Sequence, residues 1–165
     1  MAGISTEKQP PLPVTFRASN RKDQAIISFI LRSCRYSPKP LARIFSVACR
    51  GFQVVGCYSL RDNQKSLLID SIAVHHGYQR RQIGTQIVGN ILEDAFFYGF
   101  KTVDLYIHER NLAGQLFFRA CGFTATPNIV RNAYKEDSAF HMTLSLESLS
   151  EGQDLHTMLH SHAFG

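Results

Sequence analysis

The stretch "VHHGYQRRQIGTQIVGNIL", Val74 to Leu92, passes from an apolar run through Arg80, Arg81 and Gly84 into an amphipathic pattern. A strand ending at Val74, a basic loop and a helix opening at Gly84 would make a place for an anion. The first turn of a helix leaves its N–H groups without intrahelical acceptors, and the aligned peptide dipoles add partial positive charge there. A phosphate satisfies both, and a glycine lets the backbone approach it closely. The same residues also suit an ordinary strand-loop-helix turn with two solvated arginines. The choice depends on the elements around them.

Those elements follow from patterning. "VTFRAS" predicts a first strand, and Asn20 can cap a helix through "RKDQAIISFILRSC", which the prolines of "RYSPKP" stop. "ARIFSVACR", "FQVVGCYSL" and "SLLIDSIAV" predict three strands joined by hairpins at "RGF" and "RDNQK". Ile83, Ile87, Val88, Ile91, Leu92 and Ala95 recur at helical spacing, predicting a helix to Tyr98 that Gly99 ends. In "KTVDLYIH", Val103, Leu105 and Ile107 face one way and Asp104, Tyr106 and His108 the other. Asn111 to Cys121 predicts a short helix ended by Gly122, and "AFHMTLSL" a last strand, with one more near Ile129 to Tyr134. The order β-α-βββ-α-β-α-β implies a mixed sheet with helices on its faces. Residues 1–12 are expected as a flexible lead-in, 13–150 as one domain and 151–165 as a polar tail.

The chain has 165 residues, 44% of them hydrophobic, enough for one core. Its net charge, 18 − 13 = +5, suits an anionic ligand. It lacks a recognition helix or an aromatic RNA-binding motif, so no nucleic-acid partner is expected. No apolar run is long enough for a bilayer and no leader is read, so a cytoplasmic protein without membrane contact is expected. Cys34, Cys49, Cys57 and Cys121 have neither metal-ligand nor CxxC spacing, which favours free thiols and no metal.

"IAVHHGYQRRQIGTQIV" resembles motif A of the GCN5-related N-acetyltransferases (GNAT), whose loop reads (Q/R)-x-x-G-x-(G/A). Gln79 to Gly84 fill it with one departure, Gln82 in place of the first glycine. "ERNLAGQLFFRACGF" resembles the family's "xSNxxAxxLYxxxGF", and "RNAYKEDSAFHMTLSL" the end of RimI-type protein N-terminal acetyltransferases. The resemblance implies the GNAT fold, a mostly antiparallel sheet of six to seven strands flanked by about four helices. It implies acetyl-CoA as cosubstrate and direct transfer of its acetyl group to a primary amine in a ternary complex. It assigns the backbone of Ile72, Ala73 and Val74 to the pantetheine arm, as a pseudo-strand at a splay in the sheet. The loop Gln79, Arg80, Arg81, Gln82, Ile83, Gly84, Thr85 would hold the pyrophosphate, and Asn111 would bond the pantetheine region.

Acetylating an amine requires that the amine lose a proton and that the departing thiolate be stabilised. RimI-type enzymes carry a Glu where this chain has Tyr106, and a Tyr where it has Phe118. Phe118 is therefore expected only to line the cosubstrate. The proton must go elsewhere. Asp70 lies two residues before Ile72 and is expected on its face; His108 lies two after Tyr106; Tyr134 could serve the thiolate or the acceptor backbone. His75 and His76 are read as loop residues. The acceptor expected is a protein N-terminal α-amine, with a polyamine or antibiotic amine as alternative. A degenerate acyl-CoA sensor without turnover is the reading from another class. Monomer and homodimer both remain open.

Overall fold

The computed structural model describes residues 11–34, 44–131 and 138–147. Seven strands form one sheet in the order β1-β2-β3-β4-β5-β7-β6: β1 Val14–Ala18, β2 Ser46–Arg50, β3 Gln53–Asn63, β4 Ser66–Val74, β5 Thr102–His108, β6 Thr124–Arg131 and β7 Ser138–Ser145. All neighbours are antiparallel except β4 and β5. Among the described residues there are three α-helices, α1 Gln24–Ser33, α2 Ile83–Phe97 and α3 Leu112–Ala120, against the four or so expected.

Each face of the sheet has its own core. On one face α2 inserts Ile83, Ile87, Ile91 and Leu92, all at most 1% exposed, against Leu67, Ile69, Val103, Leu105 and Met142. Each such side chain contributes roughly 1.5–3 kcal/mol on burial. On the other face α1 buries Ile27 and Ile30 against Val47, Cys49, Cys57 and Ala73. Asn20 and Asp23 make a reciprocal capping box around a short 3-10 turn, Arg21–Asp23, that leads into α1. Gly99 and Gly122 have φ of 77° and 95°, the left-handed geometry that ends α2 and α3. All four cysteines are free thiols.

Two expectations move. The β3–β4 turn is Gln64–Lys65 alone, because Arg61, Asp62 and Asn63 stay in the ladder opposite Leu68, Leu67 and Ser66. β6 begins at Thr124 rather than near Ile129, because Thr124 already pairs with Thr143. Pro127 falls in the irregular register between Ala125 and Ile129, on an edge strand where a missing N–H is tolerated. The expected boundaries at residues 12–13 and 150–151 are untested by the fold: residues 1–10 and 148–165 lie outside the described segments.

Candidate active site

β4 and β5 pair only from Ser66↔Thr102 to Ile69↔Leu105. Beyond that point Ser71–Val74 pair with β3 and Tyr106–His108 with β7, and the two strands no longer pair with each other. The sheet therefore splays at its centre beside Ile72, Ala73 and Val74. Val74 keeps its carbonyl engaged: it accepts from the Gln79 side-chain amide at 3.2 Å and from the Cys34 thiol at 3.5 Å. Gln79 thus folds back onto the strand rather than presenting its amide to the loop.

The loop beyond the splay is exposed and basic. Arg80 and Gln82 have φ of 57° and 61°, in the left-handed region. Gln82 is the N-cap of α2, and its carbonyl accepts from Gln86 N–H at 3.0 Å. The N–H groups of Ile83, Gly84 and Thr85 have no acceptor within the helix by its geometry. Arg81 lies 5.7 Å from the Tyr78 ring centre. The side chain of Ile83 is buried in the core, so only its backbone can serve a ligand. At Gly84 the structure adds a packing reason for the glycine. Its backbone is ordinary helix, and a Cβ there would meet Phe117 at 3.1 Å. The glycine admits the Phe117 ring between α3 and the start of α2.

Two further expectations change. Asn111 is the N-cap of α3, its Oδ1 accepting from Gly114 N–H at 3.0 Å, so its side-chain carbonyl is already used. Phe118 is 6% exposed, packed edge-on against Phe117 and Phe123, and belongs to the core rather than to a cosubstrate wall.

Tyr106, 53% exposed, borders an open depression of about 320 Å³ with Arg61, Asn63, Leu68, Ile69 and Asp70. Asp70 is brought to Tyr106, but not to the face of Ile72. The register runs Ser59↔Ser71, then Leu60↔Ile69, leaving Asp70 as the extra residue of a β-bulge. The bulge reverses the alternation: Ile69 and Ile72 both pack on the α2 side. Asp70 turns the other way and meets Arg61 through two guanidinium contacts. That carboxylate raises the Arg61 pKa further above its usual value. His108 is tied into the turn after β5: its Nδ1 accepts from Arg110 N–H at 3.1 Å. Tyr134 lies outside the described residues.

The sequence gives no role to His141, and none to Asp104 beyond sharing the face of Tyr106. Both sit next to Tyr106. Tyr106 is directly opposite His141 in the β5–β7 ladder, with ring centres 5.1 Å apart. His141 Nε2 is 3.6 Å from Asp104 Oδ1, and that oxygen accepts from Thr143 Oγ1 at 2.5 Å. The signal was present in "FHMTL": Met142 and Leu144 are core, so His141 and Thr143 face away from it.

The sequence matches the model of the acetyltransferase (GNAT) family over residues 10–123. No curated protein matches it closely enough to count as a relative. Solved structures share the fold at low identity. The ribosomal-protein-S18-alanine N-acetyltransferase of Escherichia coli is 16% identical, with 81% of this chain and 94% of that one covered and a TM-score of 0.65. A spermidine N-acetyltransferase variant from Vibrio cholerae is 13% identical over 84% and 96%, with a TM-score of 0.71. An acetyltransferase of Bacillus subtilis in complex with CoA is 15% identical over 81% and 99%, with a TM-score of 0.58.

Proposed function

The chain belongs to the GNAT family of acetyltransferases, and from that premise we propose that it moves the acetyl group of acetyl-CoA to a primary amine bound in the depression beside Tyr106. The observation that carries this reading is the splay. Backbone of β4 and β5 is unpaired across it, the amide-rich start of α2 lies at one end, and an open polar depression lies alongside. An extended pantetheine arm can add to the strands, its pyrophosphate can take the N–H groups of Ile83, Gly84 and Thr85, and its thioester then lies near Tyr106.

The acceptor we favour is the α-amine of a peptide. The depression is open to solvent, so a chain longer than the cavity can continue outside it. The ammonium gives one proton to solvent water, the neutral nitrogen attacks the thioester carbonyl, the C–S bond breaks as CoA leaves as thiolate, and the second proton shed by the acylated nitrogen passes through water to that thiolate. Tyr106 would orient the amine, while Asp70 keeps Arg61 turned toward the rim. The test is CoA release from acetyl-CoA with a peptide bearing a free α-amine, the same peptide blocked at that amine, a polyamine and an aminoglycoside. Turnover with the free peptide alone supports the peptide reading. Turnover with the polyamine or aminoglycoside instead moves the acceptor to a small molecule.

A second reading, an acyl-CoA binder without turnover, is favoured by two positions. A tyrosine stands where a carboxylate is usual, and Phe118 is buried and has no hydroxyl. Tight CoA binding with no release from any amine would select it.

A further inference from the structure

The side chains around Tyr106 form a second assembly behind the depression. His141 presents its ring to Tyr106 with 33° between the planes. Its two nitrogens face different partners: Nε2 lies 3.6 Å from Asp104 Oδ1, longer than a hydrogen bond, and Nδ1 lies 3.4 Å from Thr126 Oγ1. Asp104 is held in turn by Thr143 at 2.5 Å and more loosely by Thr102 at 3.5 Å. Contacts along both edges favour one ring orientation, so the imidazole backs its neighbour on one side. The side chains of His141 and Asp104 are 24% and 15% exposed, whereas Tyr106 is 53% exposed. An exposed tyrosine on a strand ordinarily samples several rotamers, and this one is backed on one side.

We propose that His141, flanked by Asp104 and Thr126, is the positioning residue of Tyr106 and sets the phenol's direction over the depression. This deepens the reading of that depression as the acceptor site and rests on it. His141 does not touch the acceptor; it acts through the tyrosine. Misplacing an orienting group by about an ångström can reduce turnover by up to about a hundredfold.

The experiment is a double-mutant cycle on kcat and KM for one good amine, with CoA affinity measured by calorimetry. His141→Ala is expected to lower kcat about tenfold, with the amine KM changed less than threefold and CoA affinity unchanged. His141→Phe retains a ring against Tyr106 and is expected to recover part of the loss. In a Tyr106→Phe background, His141→Ala is expected to cost little more, because the residue it directs has lost its hydroxyl. Full additivity of the two losses overturns the proposal, as does wild-type kcat in His141→Ala. A readout without turnover separates this from failure of the proposed function. The chain has no Trp, so tyrosine dominates its near-ultraviolet circular dichroism. The wild-type minus Tyr106→Phe difference isolates one ring, and His141→Ala should abolish most of that difference. If the signal persists in His141→Ala, Tyr106 is held by something else and the proposal fails even where the enzyme is active.

Discussion

Gln82 shows what a single backbone angle costs and what its side chain conceals. In sequence it is only a departure from a glycine; in the structure its φ of 61° explains why a glycine belongs there. A left-handed conformation costs a side-chain-bearing residue about 1–2 kcal/mol, and a glycine gives back about 0.4–1 kcal/mol through its freer unfolded chain. Gln82→Gly should therefore stabilise the fold by about 0.5–1 kcal/mol, read as a higher urea midpoint at unchanged slope, with CoA affinity equal or tighter. A weaker affinity would mean that the glutamine side chain itself holds the ligand. Gly84 teaches the opposite lesson. The motif marks it for a ligand, yet the contact it makes room for is Phe117. Gly84→Val should cost about 1–3 kcal/mol by overpacking, and Phe117→Ala should relieve part of that cost in the double variant. Strict additivity in urea unfolding would show that the clash lies elsewhere. Motif residues were legible one by one because their types were right; the partners that explain them are distant in sequence and could not be read.

At the scale of elements, the strands and helices were legible wherever periodicity was unbroken, and misread where it broke. Asp70 was assigned to the face of Ile72 by counting in twos, which holds only along a regular ladder. One extra residue on β4 overturned it, and nothing in "LLIDSIAV" marks the bulge. His141 was missed for a different reason: its role comes from β7 lying beside β5, a pairing between segments more than thirty residues apart. The entry to α1 was read correctly in kind, since Asn20 is a cap, but its partner carries the pH dependence. Arg17 donates two hydrogen bonds to Asp23, and together with the Asn20 N–H this lowers the Asp23 pKa from 3.8 to about 2, against an opposing effect of burial. Between those values the unfolded chain binds the proton and the folded one does not, so stability falls as pH drops through that window. Asp23→Asn should be less stable than wild type above about pH 4 and should converge with it toward about pH 2. Thermal unfolding across that range checks it; parallel curves would remove Asp23 from the acid response.

For the whole molecule, net charge and fold point the same way but with unequal weight. If the start of α2 holds a pyrophosphate mainly through backbone amides, the exposed Arg80 and Arg81 are accessories. Removing both should then weaken CoA binding by no more than about tenfold, by less as salt rises. Calorimetry at two ionic strengths decides this, and a hundredfold loss would shift the weight from amides to charge. The splay carries a consequence for solubility. Unpaired strand backbone is normally found at the rim of a sheet, where a second protein molecule can lie against it and start aggregation. Here the unpaired stretch is flanked by β3 on one side and β7 on the other. A foreign strand cannot extend the sheet there as it could at a rim, because β3 and β7 already flank the stretch. The molecule can thus hold unpaired strand backbone at its centre, away from the rim where edge-to-edge association starts.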